Sequence, residues 1–191
     1  MNEINSSGTI ECDISPEIDL NMIDLKTIDP ISRILLSTNG TLTKMLEAIF
    51  MEKIEIKKIL NNSFVKDYDD LVCETRENES ISAREVLLKG AKTNRNYVFA
   101  KTLILNERLS DLFYNELSET DISIGLLWEK HRVELYKKFY DYEVVPVGNL
   151  APYFNMQSND KIYSRTYLVY IKGQPVAQIT EKFSDFRMDM I

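Results

Sequence analysis

The alternation of apolar and polar positions is clearest near the C-terminal end of the chain. Residues 163–171 and 174–183 each alternate, and Lys172-Gly173 separates them, which predicts two strands joined by a tight turn. Period-2 geometry sends residues i, i+2 and i+4 to one face, so Glu181 shares a face with Ala177, Ile179 and Phe183. A carboxylate there is either a buried acid with a partner or the end of the buried run. Burying Glu unpaired is costly, which makes Glu181 a candidate for chemistry. In ISAREVLLKG the same alternation puts Arg84 on the face of Val86 and Leu88. Two readings stay open: a structural one, in which Arg84 and Glu181 form a buried ion pair or sit at the wet ends of their strands, and a functional one, in which they carry chemistry.

The rest of the pattern predicts a mixed fold. Residues 1–24 are polar and rich in Ser, Asn and Asp, the composition of a flexible arm, and the single domain is expected over 25–191. A first helix is predicted over 28–36, with Pro30 in its opening turn, and a second over 41–51, with Thr41 as its cap. Periodicity allows strand or helix over 52–63, and its isoleucine content favours a strand; 67–78 reads as a charged connection. Residues 81–88 and 97–105 read as a hairpin, and 109–117 as a helix. The spacing of Leu127, Val133, Leu135 and Phe139 predicts one long helix over 124–140, with Asp121 or Ser123 as its cap. A short strand at 143–147 and a loop over 148–160 precede the final hairpin. Strands and helices do not alternate one for one, so the expected class is α+β with a mostly antiparallel sheet.

Composition narrows the function. A chain of 191 residues with 44% hydrophobic positions can bury a real core as one domain. A net charge of −7 argues against a nucleic-acid binder, which needs a basic surface, but leaves room for a small anion held by one buried Arg. Cys12 and Cys73 belong to no cluster and are expected as free thiols of a reducing cytoplasm, with a single disulfide the open alternative. No secretory signal is expected from MNEINSSGTIECD, which lacks a basic and an apolar stretch, and no apolar run in the sequence approaches a membrane span. With His131 as the single histidine and no GxSxG elbow, neither a Ser-His-Asp hydrolase nor a zinc site is expected. No glycine-rich phosphate loop is present.

Four blocks, in order, resemble the chorismate pyruvate-lyase family, in particular its archaeal and actinobacterial 4-hydroxybenzoate synthases. They are ILLSTNGTLTKMLEAIF, ISAREVLLKG with YVFAKTLIL, ISIGLLWEKHRVELYKKF, and SRTYLVYIKGQPVAQITEKF. The resemblance implies a single antiparallel sheet of about six strands with helical flaps over an internal ligand cavity. It implies that Arg84 binds the ring carboxylate, that Glu181 lies near the ring hydroxyl and the breaking bond, and that main-chain groups at Leu42 and Ile124 complete the pocket. Arg165 and the tyrosines 163, 167 and 170 carry weaker signals. Arg165 is as well explained by a solvated sheet end, and the tyrosines by sheet packing. The chain departs from the bacterial ubiquinone-pathway members at 128–146, read as a long charged helix, and in the tail after Phe183.

The implied reaction converts chorismate to pyruvate and 4-hydroxybenzoate with no metal, nucleotide or flavin. It asks only for orientation and one proton-transfer group. On this expectation a desolvated, protonated Glu181 donates to the departing enolpyruvyl group. The alternative is a domain of the same fold that binds aromatic acids without chemistry.

Overall fold

The computed structural model describes residues 28–65, 71, 75, 79–184 and 186. The expected N-terminal arm, both cysteines, most of the 67–78 connection and most of the tail beyond Phe183 lie outside them. Helix α1 (Pro30–Ser37) opens at Asp29, whose carboxylate accepts from the Ser32 amide at 2.8 Å, with Pro30 placed where a helix does not need an N–H. Helix α2 (Leu42–Phe50) follows and stops at Met51, in the left-handed region with φ 52°. Strand β1 (Ile54–Val65) leads into the hairpin of β2 (Ile81–Gly90) and β3 (Asn96–Leu105). Helices α3 (Asp111–Glu119) and α4 (Ile124–Lys130), strand β4 (Tyr136–Pro146) and the short α5 (Ala151–Phe154) come next. Strands β5 (Lys161–Ile171) and β6 (Gln174–Phe183) form the last hairpin.

All six strands pair antiparallel in one sheet, in the order β1-β2-β3-β6-β5-β4. The class is α+β, as expected. Helices α1 and α2 pack Leu35, Leu36, Leu42 and Leu46 against Val86, Leu88, Val98 and Phe183. Helices α3 and α4 pack Phe113, Leu117, Leu127 and Trp128 against Ile104, Ala177 and Ile179, on the same face. Two helical pairs therefore roof one side of the sheet, and the space between them is where a ligand can be enclosed.

The helix predicted over 124–140 ends at Lys130, His131 caps it, and Arg132 turns the chain with φ 51°. Residues 136–146 are strand β4, paired along its length with β5. Leu135 and Phe139 sit four apart, a spacing that fits a helix, but YKKFYDYEVV is rich in aromatic and β-branched residues that suit a paired strand. Its alternation is also masked: a register shift between Phe139 and Asp141 inserts one residue, so that Phe139 and Tyr142 face the same way. The long charged helix expected over 128–146 is thus a short helix, a turn and an edge strand. Thr41 also differs from expectation. It occupies the N-cap of α2 but does not cap it, and its hydroxyl donates to Glu129 on α4 instead.

The β2–β3 turn is closed by a buried acid. Glu52 accepts from the amides of Lys92 (2.8 Å) and Thr93 (3.0 Å) and from the hydroxyls of Thr93 (2.8 Å) and Tyr97 (2.6 Å). Burial pushes its pKa up, but these bonds, led by that from Tyr97, outweigh it and hold the group at about 2. A depressed carboxyl pKa stabilises the fold fully above the ordinary value of 4.5, and that stabilisation is lost as pH falls through about 2. Glu52→Gln is therefore expected to melt several degrees below wild type at pH 7. The gap should close in melts run from pH 4.5 down to pH 2. Gly90 is required beside it, because a Cβ there would lie 2.3 Å from Glu52 Oε1.

Candidate active site

The strand registers arrange the roofed face of the sheet in rows. Arg84 on β2 stands opposite Thr102 on β3, then Ile179 on β6 and Tyr167 on β5. The next row runs Val86, Ala100, Glu181, Arg165 and Tyr142. These side chains meet the flaps around a cavity that is open on one side. Arg84, Glu181, Leu42 and Ile124, the four residues singled out in the sequence, all line it, together with Thr41, Ser123, Trp128, Lys137 and Tyr167.

The flaps meet directly over the cavity. The Thr43 hydroxyl donates to the Ser123 hydroxyl at 3.0 Å, and Thr41 and Lys44 both reach Glu129. Ser123 also caps α4, accepting from the Leu126 amide at 3.3 Å. Gly125 fits against Thr41, where a Cβ would approach the Thr41 methyl to 3.1 Å.

Arg84 and Glu181 do not form the ion pair left open by the sequence. Strand β3 lies between their strands, so they stand two strand spacings apart, roughly 10 Å. Arg84 is 1% exposed, donates from Nη2 to the Ile122 carbonyl at 3.1 Å, and leaves Nε with no partner. Burial pulls its pKa down to about 10, against the opposing charge of Asp121, so it remains a cation at neutral pH.

The partner of Glu181 is Arg165, directly opposite on β5. Arg165 Nε donates to Glu181 Oε2 at 2.6 Å, and its Nη1 donates to the carbonyls of Leu36 and Thr38, both at 2.9 Å. Arg165 is therefore not a solvated sheet-end residue. It is 1% exposed and ties the acid to the end of α1. Tyr167 does more than pack: its hydroxyl donates to Glu181 Oε1 at 3.1 Å, and burial, with the Glu181 charge, raises its pKa well above 10. Tyr163 packs against the α1–α2 core, and Tyr170 on β5 packs across to Tyr136 and Tyr140 of the edge strand β4.

Breaking the Arg165–Glu181 pair from one side leaves a buried charge alone. Arg165→Met is expected to destabilise the protein by about 3–5 kcal/mol. The double variant Arg165→Met/Glu181→Gln should recover part of that loss, as a cycle of urea unfolding measurements would show.

Lys137 was missed, because a helix over 124–140 gives it no reason to face the sheet. As part of β4 it stands opposite Val169, on the cavity face. The signal that could have found it is the alternation of Tyr136, Lys138 and Tyr140 with Lys137 and Phe139. His131 is accounted for elsewhere, donating from Nε2 to Glu116 at 2.8 Å.

The chain is similar to known proteins in fold and in sequence. Among solved structures, the chain is similar to the effector domain of PhnF from Mycobacterium smegmatis (TM-score 0.59, 13% identity, 78% of this chain and 90% of that one). It is also similar to the C-terminal domain of the histidine utilization repressor from Pseudomonas syringae pv. tomato (TM-score 0.53, 8% identity, 71% and 94%). At such identities the likeness is one of fold. The family model described as Chorismate pyruvate-lyase Rv2949c-like matches residues 36–189. The chain belongs to the chorismate pyruvate-lyase family. Its relatives there include the chorismate pyruvate-lyase of Mycobacterium leprae, 31% identical over 86% of this chain and 79% of that protein. That of Mycobacterium tuberculosis strain H37Rv is 26% identical over 79% and 78%. Each of the four blocks that carry the family resemblance contributes a residue to the cavity wall: Leu42, Arg84, Ile124 and Glu181. Among the described residues, no helix is long and apolar enough to cross a membrane, and no three His, Cys, Asp or Glu side chains cluster to hold a metal.

Proposed function

We propose that this protein is a chorismate pyruvate-lyase, eliminating pyruvate from chorismate to leave 4-hydroxybenzoate. The observation that carries the reading is one cavity with a buried guanidinium outside any ion pair, Arg84, on one side and an oriented carboxylate, Glu181, on the other. A planar fork with a vacant Nε suits a ring carboxylate. The first-turn amides of α2 at Leu42 and of α4 at Ile124 supply main-chain donors around the ring. Those of α2 are left free by the missing Thr41 cap.

Held by Arg165, Glu181 acts first as the base in this mechanism, where the lone desolvated group was expected to act as the acid. It takes the proton from the ring carbon that bears the hydroxyl. That C–H electron pair forms the last double bond of the aromatic ring, and the ether bond on the adjacent carbon breaks, its pair leaving on the enolpyruvyl oxygen. The enolate then regains one proton and becomes pyruvate. The proton removed equals the proton required, so a single carboxylate can carry it with no co-reactant. Arg165 and Tyr167 position Glu181 throughout.

The direct test is the purified protein with chorismate, following pyruvate and 4-hydroxybenzoate by chromatography. Equal amounts of both are expected, and their absence sinks the reading. The rate should be indifferent to EDTA and to added metals or nucleotides; activity lost to the chelator and restored by one metal would show a missing cofactor. A second reading, a module that binds aromatic acids without turnover, draws support from the fold shared with the PhnF effector domain. It predicts 4-hydroxybenzoate binding with no pyruvate release.

A further inference from the structure

Two cations, Arg84 and Lys137, stand in the cavity wall. Arg165 and Glu181 cancel as a pair. Arg84 has only the Ile122 carbonyl as a hydrogen-bond partner, and Lys137 has only the Gly40 carbonyl, at 3.2 Å, with the face of the Tyr167 ring 5.2 Å away. Neither forms an ion pair within 4.0 Å among the described residues. Asp121 acts on Arg84 and Glu181 on Lys137 only from beyond ion-pair distance, so the cavity presents two cations free of direct carboxylate contact, an arrangement that costs desolvation energy and that a ligand with two negative charges would relieve. The two cations also reach in from opposite sides. Four strand spacings separate β2 from β4, roughly 19 Å, and both side chains extend over the sheet towards the space between them.

We propose that Lys137 anchors a second carboxylate, so that the cavity selects dianions: Arg84 holds the carboxylate on the ring and Lys137 the carboxylate on the enolpyruvyl arm. This assignment of the two ends rests on the lyase reading; the selection for two anionic groups rests on the charges alone. Burial holds the Lys137 pKa below its usual value, with Arg165 adding to the effect and Glu181 opposing it, and a bound carboxylate would relieve that burden. Its present partner is a carbonyl of the α1–α2 loop, so a ligand carboxylate would replace a neutral acceptor with a charged one. After cleavage the two negative charges part. 4-Hydroxybenzoate keeps only the Arg84 contact and pyruvate only the Lys137 contact, so each product is held by one anchor where the substrate was held by two.

The test compares two stable ligands by calorimetry: 4-hydroxybenzoate, with one carboxylate, and 3-(1-carboxyethoxy)-4-hydroxybenzoate, which carries a second on an ether arm that cannot eliminate. Wild type is expected to bind the dianion at least about tenfold more tightly, the worth of one charge-assisted contact. Lys137→Met should abolish that preference while shifting 4-hydroxybenzoate affinity less than about threefold. Lys137→Arg, which keeps the charge, should retain the preference, and thermal melts of both variants confirm that they fold. A wild type without the preference, or a Lys137→Met variant that keeps it or loses both ligands equally, overturns the proposal. Pyruvate release from chorismate by wild type is measured alongside. A protein that shows the Lys137-dependent preference but releases no pyruvate refutes the lyase reading and leaves the dianion site standing.

Discussion

Glu181→Gln is expected to lower the turnover of chorismate by about 10²-fold or more, the usual worth of a positioned general acid or base. Gln keeps the size and one acceptor, so the hydrogen bond from Tyr167 survives and the ligand space is unchanged. What disappears is the proton carrier, together with the charge that balances Arg165. The variant should therefore also melt at lower temperature, since the guanidinium is left buried with carbonyl partners only. Its affinity for 4-hydroxybenzoate should change far less than its turnover. Melting temperature, ligand affinity and pyruvate release on this one variant separate the possible roles. A destabilised protein with full lyase activity would make Glu181 half of a structural pair and defeat the mechanism. A wild type and a variant that both bind aromatic acids, neither releasing pyruvate, would indicate a binding module.

Arg84→Met is expected to weaken both chorismate and 4-hydroxybenzoate by about 10–10²-fold, because each would lose a charge-assisted contact. Arg84→Lys should fall between, a point charge replacing a fork that can meet both oxygens of a carboxylate. Stability should move the other way. Among the described residues Arg84 is a buried cation outside any ion pair, with a vacant Nε and a single carbonyl hydrogen bond, so replacing it with an apolar chain of similar length relieves desolvation. A Met variant that melts at or above the wild-type temperature and no longer binds the aromatic acid would show that the residue is kept for its ligand. Unchanged affinity in either variant would remove Arg84 from the site.

The two predictions differ because the two residues sit differently in one sheet. Both were legible from period-2 alternation: each lies among apolar residues on a strand face, and the strand forms with that face roofed. The alternation in each strand is local, so no knowledge of neighbouring elements was needed to find a charged group pointing inward. The long final hairpin, the β2–β3 hairpin and the α+β class were legible for the same reason, and Leu42 and Ile124 came from the family blocks.

Pairing was not legible, because it depends on strand order. Arg84 and Glu181 were the obvious partners in sequence, yet β3 is inserted between their strands, while the turn at Lys172-Gly173 brings Arg165 directly opposite Glu181. The same holds for Lys137. Local spacing allowed a helix, and only pairing with β5, which satisfies the backbone of 136–146 and absorbs the irregularity after Phe139, made that segment a strand and turned the lysine inward. The sequence by itself determined which residues would be buried on each locally periodic element, since the side-chain period of a strand is a property of its backbone. Only the tertiary structure decided which buried charge met which, because a Coulomb partner within 3 Å is set by register and strand order, and neither is encoded within a single element.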